Sequence, residues 1–409
     1  MFDLMRRKAK LLEKDVVEFA ARLVRTPSVT THEADVAALV ETTMRNIGYE
    51  NVFRDDAGNV VSVIPGRRNA PTVLLLSHMD TVAPDEKNNW THPPFDGVIE
   101  NGRLHGVGSS DCKSGLAAQI FAGALLKRTL LPLEGNMIVA ATVSEENGGS
   151  PGARALMENT LPAMQMKPDF AVLGEPTGLA LYHGHDGWAQ FDILVYGANQ
   201  FQVDDAARAV ETHLSERSRY SRQNRYSDQT IVARRPTQLV EGFHRGTIQL
   251  TRRMNEREDY RDVASQIHHN AALVAESVGS ADVSVSIPQT RQRLYTNRTV
   301  VTKNIIEAWS TDPFNAVMER PRQALMAAGC KAQAGKWSLP RCGMATAGGL
   351  LLKTFGVPTI GYGPGNEETA HSANESVETT MIEQAMFGTA VIVHSLVGIP
   401  VCGWTADEI

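Results

Sequence analysis

Four short runs of this chain are too uniformly apolar to lie on a sheet that faces water. Thr72–Leu76 (TVLLL), Met137–Val143 (MIVAATV), Phe170–Leu173 (FAVL) and Val357–Tyr362 (VPTIGY) lack the alternation of a one-sided strand. Strands covered on both faces fit them, and helical segments such as Ser114–Lys127 lie in between. That alternation predicts an α/β domain with a mostly parallel sheet. Leu11 to Arg25 has apolar residues at helical spacing, and Thr30 followed by Glu33 reads as a capping box opening a second helix that ends near Gly48. Glu375–Val397 reads as a closing helix.

The stretch from Trp188 to Asn297 has a different rhythm. Trp188–Tyr196, Thr230–Ala233, Thr247–Met254 and Asp282–Ile287 read as strands, with helices at Asp205–Leu214 and Arg257–Ser277. The order βαββαβ is the ferredoxin-like pattern. It predicts a compact domain, 188–297, inserted into a domain built from 1–187 and 298–409, with two crossings near Asp186 and Asn297 serving as a hinge. A chain of 409 residues has room for both.

Each apolar run leads into groups that bind metals or move protons. The first ends in Ser77-His78-Met79-Asp80, the second in Ser144-Glu145-Glu146 and the third in Gly174-Glu175-Pro176-Thr177. The fourth leads through Gly363-Pro364-Gly365 to Ala370-His371, and Gly108-Ser109-Ser110-Asp111 precedes a helix. Ligands gather at the carboxyl ends of parallel strands. Five acidic or His-bearing loops converging there would repel one another unless cations intervened, and two divalent metals would offset the repulsion. Taken singly, each has an ordinary reading: His-x-Asp as a solvated pair, Glu-Glu as an exposed helix start, Asp111 as an N-cap. Their recurrence at strand ends weakens those readings.

Composition narrows the class further. A formal net charge of −6 gives no reason to expect nucleic acid as a partner. The opening MFDLMRRKAK lacks a signal-peptide pattern, and no run of about 18 apolar residues suggests a membrane span. Cys112, Cys330, Cys342 and Cys402 lie too far apart for a close-spaced zinc motif or a disulfide framework. A cytoplasmic protein is expected.

SHMDTV at 77–82, GVGSSDCKSG at 106–115, VSEENGG at 143–149, GEPT at 174–177 and GPGNEETAHSANE at 363–375 occur in that order. With them the chain resembles the dinuclear-metal amidohydrolases and peptidases, among them acetylornithine deacetylase, succinyl-diaminopimelate desuccinylase, the aminoacylases and glutamate carboxypeptidase. The resemblance covers essentially the whole chain. It implies that Asp111 bridges two metals, one also held by His78 and Glu175, the other by Glu146 and His371. Asp80 would accept the other N–H of His78, and Glu145 would act as general base toward a water between the metals. Oxygen-rich ligation leaves manganese and cobalt open beside zinc, the family default.

Four places in the chain touch the substrate side of that resemblance. Relatives carry a lid His where this chain has Phe201, and His213 and His244 are candidate replacements. Relatives often have an arginine where Asp186 stands, a residue that would disfavour an acidic substrate group or simply sit in water at a hinge. Arg253 falls where relatives grip a substrate carboxylate and is the preferred candidate for that role, a surface arginine on a sheet edge being the alternative; Gly348-Gly349 falls at a glycine-containing substrate loop or a plain turn. The expected function is hydrolysis of a C–N bond in a small carboxylate-bearing molecule, an N-acyl amino acid or short peptide. The alternative is deamination of an amino-substituted aromatic acid packed against Phe201 and Trp188. A binding or scaffolding role fits poorly with a complete set of metal-site residues. A homodimer or larger even-numbered assembly through the lid is expected, with no membrane partner.

Overall fold

The computed structural model describes residues 1–85, 89–220, 231–279, 281–339 and 344–399; Thr230, Cys342 and Cys402 lie outside them. Two compact units divide the chain, one of Met1–Gly184, Gln292–Val300 and Ser310–Ile409, the other of His185–Arg291 and Val301–Trp309.

In the larger unit the strand Thr72–His78 lies between Asn136–Thr142 and Phe170–Leu173, parallel to both, and Thr359–Gly361 extends the parallel set beside Phe170–Leu173. Both Thr72–His78 and Asn136–Thr142 are buried at every position. Helices Lys113–Thr129 and Thr379–Val397 pack into the same core as Val73, Leu75, Met137 and Val139. Burying one such side chain stabilises the fold by about 1.5–3 kcal/mol, which is why these runs carry no polar alternation. The α/β class follows from this arrangement. The sheet is nevertheless more mixed than the apolar runs suggested. Val60–Ile64 joins Asn136–Thr142 antiparallel, and Leu181–His185 meets Thr359–Gly361 antiparallel. The closing helix begins at Thr379 rather than Glu375, because Ser376–Glu378 forms a short strand against Arg103–His105. Thr379–Val397 is long and apolar enough to cross a membrane by composition, but most of it is buried inside the protein as a core helix.

The smaller unit contains four antiparallel strands in the order Ile231–Val240, Phe243–Met254, Gly187–Gly197, Asp282–Ser286. Helices Gln200–Tyr220 and Tyr260–Val278 complete βαββαβ in chain order. Phe191, Ile193, Val195, Ile248 and Leu250 form the inward face with Val203, Val210, Val263 and Ile267 from the helices. The chain crosses between units four times rather than twice, because after Gln292–Val300 it re-enters the smaller one. There Ile305 and Ile306 pair with Ala189 and Trp188. Two residues are too few to show a period, so nothing in the sequence marks this short strand.

Candidate metal centre

His78 is the last residue of its strand, and Ser144 follows the strand Asn136–Thr142 closely. Ser144 and His371 both adopt the left-handed conformation, with φ of 60° and 54°. Non-glycine residues hold that region only where the surroundings over-determine it, as at functional sites. The helix Lys113–Thr129 starts unusually close to the next strand end: a Cβ on Gly115 would lie 1.6 Å from the carbonyl oxygen of Gly174. Glycine at 115 therefore lets Asp111 and Glu175 approach one another.

Asp111 stands between two imidazoles. Its Oδ1 lies 3.2 Å from Nε2 of His78, and its Oδ2 lies 3.4 Å from Nε2 of His371. Glu175 Oε2 is 3.8 Å from the His78 nitrogen, and Glu146 Oε2 is 2.8 Å from the His371 nitrogen. Two donor groups result: His78, Asp111, Cys112 and Glu175, and Asp111, Glu146 and His371, with the atoms of each within 4.8 Å of one another. Neighbouring nitrogen and oxygen donors on a tetrahedral zinc lie about 3.3–3.6 Å apart, given bonds of about 2.0–2.2 Å. The distances here bracket that value. Glu145, Glu146 and Glu175 each bury an Oε1 that accepts no hydrogen bond. The arrangement therefore suits two cations sharing Asp111.

The proton affinities carry the same message. Burial raises the Glu145 carboxyl to about 8; His78 opposes the rise, while Glu146, Asp80 and Asp111 add to it. Burial likewise lifts Glu175 well above the carboxylate range. Burial works against both charged forms of the Asp111–His371 pair. Their mutual contact overrides it, holding Asp111 low and lifting His371 to about 11 with help from Glu146. Without cations, these groups must retain protons to coexist; bound cations would replace those protons.

A second layer holds the donor loops. His78 Nδ1 lies 2.9 Å from the main-chain oxygen of Asp80 and 3.5 Å from its Oδ1. The carbonyl, rather than the expected carboxylate, is thus the nearer partner of the imidazole. The carboxylate is occupied elsewhere, accepting the N–H groups of Glu145 at 3.0 Å and Glu146 at 3.1 Å and the hydroxyl of Thr30 at 2.8 Å. Glu33 accepts the N–H of Ser144 at 3.1 Å. Two buried carboxylates thus fix three successive amides beside Glu145. The capping box expected from Thr30 and Glu33 does not form: the helix starts at Ala34 without a side-chain cap, and both residues serve the donor loop instead. Glu375 does the same for the other loop, taking N–H groups from Gly108, Ser110 and Asp111 at 2.8–3.1 Å. Burial raises Glu33 and Glu375 to about 7. Sequence reasoning missed both roles. Their only signal was an acid inside a motif-bearing or helix-start segment.

The smaller unit redistributes the remaining candidates. Arg253 Nη1 lies 3.6 Å from Asp186 Oδ2, and its guanidinium stacks 5.1 Å from the centre of the Trp188 ring. Asp186 is therefore an ion-pair partner and not a solvated hinge residue. Trp188 is buried, and Phe201 is 81% exposed at the start of its helix, where its N–H donates to Asn199 Oδ1. The two aromatics do not form one flat wall. Of the candidate replacement imidazoles, His244 sits opposite Gly197, at the mouth of the segment leading to Phe201, whereas His213 lies well along the helix Gln200–Tyr220. Gly348 is buried at the first helical turn before Leu350–Thr354, with its N–H on Thr346 Oγ1, so it opens a helix and is not in a free loop.

The model of peptidase family M20/M25/M40 matches residues 74–397, most of the chain and all of the candidate donors. The chain belongs to that family. It is a hydrolytic enzyme acting on C–N bonds. Over 391 residues it is 25% identical to the uncharacterized protein YgeY of Escherichia coli strain K12, covering 91% of this chain and 92% of YgeY. It is 34% identical over 168 residues to succinyl-diaminopimelate desuccinylase 2 of a Ruegeria species, covering 40% of this chain and 42% of that protein. The fold matches Bacillus subtilis YXEP, described as a dinuclear metal binding peptidase of the M20 family. The TM-score is 0.65 at 14% identity, covering 95% of this chain and all of that one.

Proposed function

We propose that this enzyme hydrolyses the amide bond of a small carboxylate-bearing substrate, an N-acyl amino acid or short peptide, at a centre of two divalent cations. The observation that carries the reading is Asp111, which offers one oxygen to each of two histidines, each with its own glutamate. His78, Asp111 and Glu175 would hold one cation, and Asp111, Glu146 and His371 the other. Zinc is favoured by family resemblance, and manganese and cobalt also suit so oxygen-rich a set. When bound, such ions polarise a scissile carbonyl and acidify water.

The chain's own residues supply the rest. Glu145 is 4% exposed, and Asp80 and Glu33 hold its backbone through the amides of residues 144–146. Its buried carboxylate takes a proton from the attacking water as oxygen bonds to the acyl carbon. It then returns that proton to the nitrogen as the C–N bond breaks. Arg253 is proposed to grip the substrate carboxylate, since a guanidinium presents a planar fork of N–H donors that matches a carboxylate. The relatives named as a desuccinylase and a dinuclear metal peptidase support amide hydrolysis. Deamination of an aromatic acid gains no support: Trp188 is lid core and Phe201 faces solvent.

The same reading carries a cytoplasmic location and a homodimer through the exposed edge strand Ile231–Val240, which ends the smaller sheet. A panel of N-acetyl and N-succinyl amino acids, dipeptides and amino-aromatic acids, given to metal-reconstituted protein with products read by mass, tests the substrate class. Chelator-sensitive amide cleavage is expected. Ammonia release from the aromatic acids alone would overturn it.

A further inference from the structure

We propose that Cys112 is a thiolate donor to the cation held by His78, Asp111 and Glu175, so that the two halves of the centre differ in metal preference and in task. This inference rests on the dinuclear reading above.

Cys112 directly follows Asp111 and is 0% exposed. Its Sγ belongs to the donor group in which every atom lies within 4.8 Å of the others. Its Sγ makes a weak contact with the main-chain oxygen of His78 at 3.6 Å. A buried cysteine alone would read as a small apolar filler. The second observation is Glu175, a buried member of the same group whose Oε1 accepts no hydrogen bond. This corner therefore keeps a carboxylate oxygen that the protein itself does not fill, beside a buried sulfur whose contact is weak.

The donor count separates the halves. His78, Asp111, Glu175 and Cys112 are four, enough to close a tetrahedral shell, whereas Asp111, Glu146 and His371 are three. Four protein donors would leave water or substrate only a fifth position on that ion, whereas three donors leave a fourth position open. Exposure runs the same way: the His78 side chain is 1% exposed and that of His371 15%. A sulfur ligand also selects for zinc or cobalt over manganese, because thiolate is the softer donor. As a ligand, Cys112 would give its S–H proton up to solvent, so cation binding at this half would release one more proton than the same set without the sulfur. The Glu146–His371 half then takes the exchangeable role.

Cobalt titration of the metal-stripped full chain reads this directly. The wild type should develop a near-ultraviolet thiolate-to-cobalt charge-transfer band with one of its two equivalents. Cys112→Ser and Cys112→Ala should bind cobalt with visible d–d bands but without that band, and zinc affinity at one site should fall at least tenfold. Cys330→Ser should keep the band. Two equivalents of cobalt with no charge-transfer band in the wild type, or a band that survives in both Cys112 variants, would overturn the proposal and leave the dinuclear reading standing. Failure to bind cobalt at all would overturn both.

Discussion

The larger unit buries His78, Asp80, Glu145, Glu175 and Glu375 at or beside its strand ends, whereas the smaller unit keeps Asp192, Arg234, Arg245 and Arg252 on partly or fully exposed positions of a one-sided sheet. Charges of the second kind pair where water screens them, as Arg234 does with Glu211 at 2.9 Å and Arg252 with Glu258. Such pairs contribute about 0–1 kcal/mol. Charges of the first kind outnumber the cationic side chains beside them and leave carboxylate oxygens without partners. The difference teaches where to look for function: a fold tolerates unpaired buried carboxylates when something other than the chain is meant to complete them.

Matched substitutions in the two regions should sharpen that contrast. Glu145→Gln should lower kcat by about 10³-fold, within the range of general acid–base catalysis, while keeping two metals, because Glu145 pairs with neither histidine. Glu211→Gln in the smaller unit should leave kcat within about twofold, consistent with the small worth of an exposed pair. Steady-state kinetics with metal analysis checks both; near-normal turnover in Glu145→Gln would remove it as the base.

The next effect concerns Glu33. Glu33→Ala leaves the buried N–H of Ser144 without its acceptor, a loss of about 1–3 kcal/mol, and should slow turnover about 10–100-fold through a misplaced Glu145. Denaturant melts and kinetics read the two consequences separately. Arg234→Ala, also stripped of an ion pair, should cost under about 1 kcal/mol.

That asymmetry also shows what the sequence could and could not disclose. The four apolar runs and the donors at their ends were legible because double-faced burial and metal chemistry both restrict residue type. The role of Glu33 was not. Thr30 and Glu33 have helix-cap spacing, and only tertiary placement turns one toward Asp80 and the other toward Ser144. The pairing of Asp186 with Arg253 was hidden in the same way, since the two residues are far apart in the chain and meet across neighbouring antiparallel strands.

A third contrast is in pH. His394 is buried in the closing helix, and burial, aided by the N-terminal ammonium, holds its pKa down at about 4. The folded value lies below the unfolded one, about 6.5, so the neutral form favours folding. Its stabilisation is complete above about pH 6.5 and fades as pH falls toward 4, a change of about 3 kcal/mol. His394→Leu should flatten the acid limb of a melting-temperature profile between those values. An unchanged profile would place the acid sensitivity elsewhere. The smallest effect belongs to Phe201: with its ring in solvent, Phe201→Ala should shift stability by under about 0.5 kcal/mol, read by thermal melts. A large loss would show that the ring is covered in the assembled enzyme.

The central claim is that one carboxylate serves two cations, and metal counting in an Asp111 variant tests it most directly. Elemental analysis after reconstitution and exhaustive dialysis should find two ions per chain in the wild type. It should find well under one in Asp111→Ala, with circular dichroism showing the fold retained. One site left fully occupied in a folded Asp111→Ala protein would contradict the account.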